Sequence, residues 1–353
     1  MSDQSITGNN AFALGALKAG VSLISGCPGA PSAEVLVYAS QLDHLHQLPD
    51  FKVEWSTDEK SALDIAVRTA MKGARALTSM KASGLNAALD TIITLPYQSI
   101  SRLVLLVTDD PGCLYSQIEQ DTRQLAEFAQ IPLLDPANVA EAETMIAAAF
   151  EISDNYLTPV IVRPVTRIAH GTDNIDPSIN YRRPQIKELD LAPDWLALPT
   201  RSLIDRNQLV DRFYQLEELS STAAFNIVDK TGLSPAPAHL GIVAGGISWA
   251  YLEEAIERLG YVGSIKLMKI GMPVAFPKQL ALEFMRDLDE LIVFEESSPV
   301  IERRLLEIVG QHRLKTRVVG RLGGTITDIG ESSTTKIYQH LHDFLSVDGP
   351  GNR

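Results

Sequence analysis

The stretch Val53-Glu54-Trp55-Ser56-Thr57-Asp58-Glu59-Lys60-Ser61-Ala62-Leu63 places one glutamate where a strand hands over to a helix. Residues 51–55 alternate as a short strand does, and Ser56, Thr57 and Asp58 are N-cap residue types. Ala62, Leu63, Ala66, Val67 and Ala70 then form a helical apolar stripe over 59–74. Glu59 is thereby predicted in the first helical turn, beyond the carboxyl end of a strand, where open α/β sheets bind their ligands. Taken by residue type alone, an acid there equally serves the helix dipole, a gain of about 0.3–1 kcal/mol.

Working outward, the same strand-then-helix alternation recurs. A helix is predicted at 9–19 and a buried strand at 21–25. Cys27-Pro28-Gly29-Ala30-Pro31-Ser32 then stops the strand ahead of a helix at 32–47, a position that suits either a ligand loop or a plain turn. Further strands are expected at 75–80, 103–107, 131–134 and 159–163, with helices at 87–95 and 138–152. Two polar loops stand out, Lys81-Ala82-Ser83-Gly84-Leu85-Asn86 and the run from Asp109 through Gln117, Glu119, Gln120 and Asp121. Loops like these carry function or merely connect.

The pattern loosens at 171–237, which reads as a linker with one helix over 205–222. A second α/β unit follows at 238–347, with strands at 240–243, 264–267, 291–294 and 317–319 between helices, and a disordered tail is expected at 348–353. Repeated strand–helix order implies mostly parallel sheets in two doubly wound domains, the first at 1–170. The Gly245-Gly246 turn lacks the spacing of a dinucleotide fingerprint.

Composition narrows the function classes. At 353 residues the chain suits about two domains, with 45% apolar and 21% charged residues. A net charge of −13 argues against nucleic acid and anionic membrane as partners. No apolar run approaches a membrane span, and the start Met1-Ser2-Asp3-Gln4-Ser5 lacks the marks of a signal peptide, so a cytoplasmic protein is expected. Cys27 and Cys113 are too few for an iron–sulfur cluster, and the scattered histidines give no metal site. No G-x-S-x-G elbow is present.

Four segments together resemble the α subunit of the indolepyruvate:ferredoxin oxidoreductases, members of the thiamine diphosphate-dependent 2-oxoacid:acceptor oxidoreductase family, over roughly residues 7–345. Cys27-Pro28-Gly29-Ala30-Pro31-Ser32-Ala33-Glu34 is similar to that family's Tyr-Pro-Gly-Thr-Pro-Ser-Ser-Glu loop, and residues 54–60 to its Glu-Trp-Ser-x-Asn-Glu-Lys segment. Residues 80–86 resemble its Met-Lys-His-x-Gly-Leu-Asn loop, and residues 109–121 its Asp-Asp-Pro-Gly…Ser-x-Gln-x-Glu-Gln-Asp stretch. Phe294-Glu295-Glu296 and Gly320-Arg321-Leu322-Gly323-Gly324 look like parts of its transketolase C-terminal-like domain.

The resemblance implies that the first domain binds the aminopyrimidine of thiamine diphosphate, with Glu59 as the acid on its ring nitrogen N1′. It implies cofactor contacts at Pro28, Gly29, Ala30, Lys81, Gly84, Asn86, Asp109, Gln117, Glu119, Gln120 and Asp121. This sequence departs at two points, with Ala30 for the family's Thr and Ala82 for its His, both removing polar groups from the substrate side. No Gly-Asp-Gly followed by Asn, the family's Mg²⁺ and diphosphate pattern, occurs. The expected protein is therefore one subunit of a dimer of heterodimers that decarboxylates a 2-oxoacid. A partner brings the diphosphate and Mg²⁺, and an iron–sulfur or flavin centre elsewhere takes the electrons. A non-catalytic scaffold and a non-oxidative decarboxylase subunit are the alternatives.

Overall fold

The structure, a computed structural model, describes residues 4–187, 198–229, 239–260, 265–327 and 329–347. The chain falls into two compact units, Met1–Leu216 and Glu217–Arg353. The expected tail at 348–353 and two parts of the expected linker, 188–197 and 230–238, lie outside the described residues.

The first unit opens with β1 (Gln4–Thr7), α1 (Gly8–Lys18), β2 (Leu23–Gly26), α2 (Glu34–His46), β3 (Lys52–Trp55), α3 (Glu59–Met71) and β4 (Ala76–Lys81). It continues through α4 (Gly84–Ala87), α5 (Leu89–Thr94), β5 (Leu103–Thr108), α6 (Thr122–Ala129), β6 (Leu133–Leu134), α7 (Glu141–Tyr156), β7 (Val160–Val162), α8 (Thr166–His170) and β8 (Thr172–Ile175). The helix α9 (Ser202–Thr222) contains the boundary between the units.

Six of these strands form one parallel sheet in the order β3-β2-β4-β5-β7-β6. Every residue of β5 and residues 76–80 of β4 are buried. Because neighbouring strand residues face opposite ways, such runs require both faces of the sheet to be covered. From β2 the chain moves out to β3, and from β4 it moves the other way to β5, so the loops after β2 and β4 diverge. That divergence opens the crevice at the carboxyl ends where doubly wound sheets bind ligands.

The second unit carries β9 (Ile227–Asp229), β10 (Leu240–Gly245), α10 (Ile247–Leu259), β11 (Ile265–Ile270), α11 (Lys278–Met285), β12 (Glu290–Phe294), α12 (Val300–His312), β13 (Arg317–Val319) and α13 (Thr334–Val347). Its sheet order is β13-β12-β10-β11-β9, parallel except for β9. Val243, Met268, Phe284, Val293 and Ile301 are among its buried core. The two motifs read in its sequence meet here. Glu295 accepts from the backbone N–H groups of Val300, Ile301 and Glu302 at 2.9–3.0 Å, capping α12, while Glu302 accepts from Leu322 N at 2.9 Å. A Cβ at Gly320 would stand 2.5 Å from the Glu302 carboxyl carbon, so that glycine is set by close packing.

Several elements of the structure, the short helix α8 among them, go beyond the sequence reading. The 81–86 loop contains the short helix α4, and residues 122–129 form α6 where only loop was read. A two-stranded antiparallel ribbon pairs β1 with β8, both mostly polar. Within the expected linker, β9 joins the second sheet as its antiparallel edge.

Candidate functional site

Asp58 is the N-cap of α3: its carboxylate accepts from Ser61 N and from the Ser61 hydroxyl, both at 2.8 Å. These hydrogen bonds hold the Asp58 pKa below the ordinary carboxylate value. With the helix start fixed, Glu59 becomes its first residue, just past the carboxyl end of β3. Its side chain is half-buried and makes no hydrogen bond or ion pair with any described residue. One side is closed by Gly84, where a Cβ would lie 2.6 Å from Glu59 Cγ and 2.9 Å from Oε1. A partly desolvated carboxylate with its lone pairs unused is set to meet a ligand.

The loop after β2 stands beside it. Burial pushes the Cys27 thiol pKa up, the negative charges of Glu59 and Asp58 add to this, and Lys81 opposes them, which places these four groups within electrostatic reach of one another. A Cβ on Gly29 would come no nearer than 4.0 Å to Lys81 Cδ, so the Lys81 stem runs alongside an open glycine. Pro28 and Ala30 are exposed. Asn9 Nδ2 donates to Pro31 O at 2.8 Å and to Glu34 Oε2 at 3.1 Å, anchoring the far end of that loop.

The loop after β5 is tied in by Gln120. Its Nε2 donates to Ala82 O at 3.0 Å, and its Oε1 accepts from Asn86 Nδ2 at 2.9 Å. Tyr115 lies edge-on to His170 with ring centroids 5.2 Å apart, and His170 Nε2 is 3.9 Å from Glu34. Glu119 accepts from Gly112 N at 3.1 Å, while Gln117 is exposed at the loop tip. The structure thus gathers Gly29, Glu59, Lys81 and Gly84, with Asn86 and Gln120 linked beside them.

Asp109 and Asp121, which the resemblance put among the cofactor contacts, are both buried and held by ion pairs within the chain. Asp109 is fully buried; Arg163 Nε donates to it at 2.7 Å, Thr122 N at 3.0 Å, and the Thr122 hydroxyl also donates. Arg163 Nη1 reaches Asp135 at 3.3 Å. Burial works against the Arg163 charge, but Asp109, Asp135 and Asp121 outweigh it and hold the guanidinium well above its ordinary pKa. Asp121 caps α6 and pairs with Arg123 Nη2 at 2.8 Å. Burial would raise its pKa, yet Arg123 and Arg163 bring it down to about 2. Asp110 fastens the loop from the other side, accepting from Tyr115 N at 2.6 Å, Ser116 N at 2.7 Å and the Thr166 hydroxyl at 2.8 Å.

The sequence reading missed Cys27, Asp110, Arg163 and His170 as members or supports of this site. Asp110 carried a signal in its place beside Asp109 before Pro111-Gly112, and Cys27 in its place at the head of the Pro28-Gly29 loop. Among the described residues no group of three or more His, Cys, Asp or Glu side chains is placed to hold a metal ion, and no helix is long and apolar enough to cross a membrane.

A six-stranded parallel sheet with a strand switch point, and a second sheet parallel but for its β9 edge, define a doubly wound α/β protein, and comparison with known proteins narrows the class. Residues 14–189 match the family model described as pyruvate flavodoxin/ferredoxin oxidoreductase, thiamine diphosphate-binding, and residues 230–340 match the indolepyruvate oxidoreductase domain. The indolepyruvate oxidoreductase subunit IorA of Pyrococcus horikoshii is 31% identical over 98% of this chain and 53% of its own length. That of Methanothermobacter thermautotrophicus is 33% identical over 92% of this chain and 52% of its own length. The chain belongs to the indolepyruvate oxidoreductase branch of the 2-oxoacid oxidoreductases.

It spans about half the length of those curated relatives. A ketoisovalerate oxidoreductase subunit VorB from Methanothermobacter marburgensis, at 24% identity, is covered over 96% of its length. Among solved structures, the 2-oxoglutarate:ferredoxin oxidoreductase of Magnetococcus marinus superposes with a TM-score of 0.75 at 16% identity, over 97% of this chain and 65% of that one. A split-gene transketolase in an inactive β4 tetramer gives 0.62 at 16% identity, over 97% and 99%. These last two likenesses speak to the fold.

Proposed function

We propose that this chain is one subunit of a split thiamine diphosphate-dependent 2-oxoacid oxidoreductase, supplying the pyrimidine-binding half of the cofactor site within residues 1–170. The observation that carries the reading is the Glu59 carboxylate, half-buried, closed on one side by Gly84 and unpaired among the described residues. When bound, thiamine diphosphate supplies the electron sink that decarboxylation of a 2-oxoacid needs. Glu59 is assigned the hydrogen bond to a ring nitrogen of the aminopyrimidine, holding or releasing a proton there. Lys81, beside Gly29, puts a cation at the mouth of the crevice, and Asn86 with Gln120 forms the amide pair on its rim. Asp109 and Asp121 shape the loop from within and position Gln117, Glu119 and Gln120.

Trp55, Leu114, Tyr115 and Ile118 stand 42–59% exposed at or near the crevice, an unusual density of apolar side chains. We assign this face to a partner subunit that carries the diphosphate and Mg²⁺, within a dimer of heterodimers. The electrons go to an iron–sulfur or flavin centre on another chain. The unit at 238–347 is assigned the transketolase C-terminal-like role of subunit contact.

A second reading rests on two alanines. Ala30 presents only a methyl group where the related loop has a threonine, and Ala82 is buried with its carbonyl held by Gln120. A chain that kept the fold and lost substrate contacts would serve as a scaffold. Native purification of the full chain from its source, with mass spectrometry of partners and assay of bound thiamine diphosphate, separates the two. A cofactor-bearing complex in which Glu59→Gln abolishes turnover but not assembly supports the enzyme. Recovery of the chain with partners but no cofactor supports the scaffold.

A further inference from the structure

At the opposite, amino end of the first sheet lies a cavity of about 140 Å³ whose lining includes Arg75, Arg102, Asp154, Arg182, Arg183 and Lys187. Arg75 and Arg102 stand immediately before β4 and β5, and Asp154 lies in the last turn of α7. The segment 182–187 is laid across this end by two backbone bonds, Arg182 N to Leu17 O at 3.3 Å and Lys187 N to Gly73 O at 2.9 Å. The volume far exceeds what one water occupies, about 30 Å³ in the liquid.

The charges here do not balance. Arg75 Nη2 donates to Asp154 Oδ2 at 2.9 Å, and Arg183 Nε to Asp50 at 2.6 Å. Arg102, with its side chain only 5% exposed, donates one bond, from Nη2 to Gln185 O at 2.9 Å, and its Nε stays 3.9 Å from Asp154. Arg102 Nε and Nη1, Arg75 Nε and Asp154 Oδ1 are buried without hydrogen-bond partners. Arg182 and Lys187 have no side-chain partner among the described residues. Among the described residues, five cations of the lining therefore face one lining carboxylate, Asp154, and the Asp50 that pairs with Arg183. Burial already pulls the Arg102 pKa down, with Asp154 opposing and Arg75 reinforcing the shift. The Arg102 backbone is also left-handed, with φ at +64°, a conformation that costs a bulky residue energy and persists only where its surroundings enforce it.

A buried guanidinium with two of its N–H-bearing nitrogens unbonded and its carboxylate partner 3.9 Å away is expensive, and the group that relieves it best is a tetrahedral oxyanion able to accept several N–H bonds at once. We propose that this cavity is an anion site for a phosphate-bearing ligand, either inorganic phosphate or the phosphate of a nucleotide-like molecule, separate from the crevice that holds Glu59. Arg75 and Arg102 form its floor, and Arg182 and Lys187 close over it from the rim. A dianion near neutral pH matches the surplus positive charge better than a monocarboxylate.

Isothermal titration calorimetry of the full chain, free of thiamine diphosphate, tests this with inorganic phosphate and with adenosine 5′-monophosphate, against chloride at matched ionic strength. The expected result is saturable one-to-one binding of phosphate, weakened roughly ten- to a hundredfold by removing a charge-assisted bond in Arg182→Ala, Lys187→Ala or both, and lost in Arg102→Leu. Tighter binding of the nucleotide assigns a nucleoside-bearing ligand, and equal or weaker binding assigns the free anion. Should Arg102→Leu fail to fold, the two rim variants carry the test, since both side chains are exposed. No saturable binding to the wild-type chain, or rim variants that bind phosphate as it does, overturns the proposal.

Discussion

Replacing Gly84 by alanine separates the placement of Glu59 from the stability of the fold. The added Cβ would sit 2.6 Å from Glu59 Cγ and 3.0 Å from its Cδ. Carbon atoms settle at about 3.5–4.0 Å, so the glutamate must move by roughly 1 Å. Gly84 is the first residue of α4 and its backbone is not left-handed, so alanine fits the local conformation. The atoms that must yield belong to a half-buried side chain with no partner to lose. Stability should therefore hold, or rise by about 0.4–1 kcal/mol through the stiffer unfolded chain. A displacement of that size at an acid acting on the cofactor costs on the order of a hundredfold in turnover, or about 2.7 kcal/mol. The assay is 2-oxoacid turnover by the assembled complex, with Tm and bound cofactor measured on the same sample. Full activity in Gly84→Ala, with assembly and cofactor intact, would refute the role given to Glu59.

Arg163→Leu leaves Asp109 and Asp135 buried without their shared cation, and loss of about 3–5 kcal/mol is expected, seen as a fall in the Tm of the order of 10 °C. The Asp121 pKa falls from an ordinary 3.8 to about 2 on folding. Its stabilisation is thus present above the unfolded value and lost as pH drops through the folded one. The stability gap between wild type and Asp121→Asn should shrink by about 2 kcal/mol between about pH 5 and pH 2, measured by urea unfolding. Because negative charge at Glu59 adds to the elevation of the Cys27 pKa, Glu59→Gln should speed iodoacetamide alkylation of Cys27 at fixed pH. Peptide mapping distinguishes it from Cys113, and an unchanged rate would mean that Glu59 and Cys27 are not neighbours.

What the sequence reveals and conceals follows from how each element is stabilised. The strand Leu103–Thr108 is legible because it is buried through apolar side chains, and α3 because its cap and its stripe agree. The helix α6 hides because its first turn, Thr122 and Arg123, is buried by ionic bonds and its Phe128 is 73% exposed, which reverses the usual pattern. The ribbon of β1 and β8 hides because a mostly polar pair has no alternation, and its register depends on a partner far along the chain. Glu59 and its neighbours could be found because their loops follow consecutive strands. The ion pairs of Asp109 and Asp121 could not be read from the sequence, since a carboxylate that staples a loop and one that binds a ligand look alike until Arg163 and Arg123 are in place. The basic cavity was invisible for the same reason, its arginines being scattered from 75 to 183.

The loop after β5 is pinned at both ends by buried acids, Asp110 before it and Asp121 after it, while its middle lies open. A segment held in this way behaves as a cassette. Residues 111–120 are then expected to be exchangeable for those of a relative without disturbing the sheet beneath, provided the backbone N–H groups at 115 and 116 still reach Asp110. The two seams at which such a loop can be grafted are set by ionic chemistry beneath it, at Asp110 and at the Asp121–Arg123 pair.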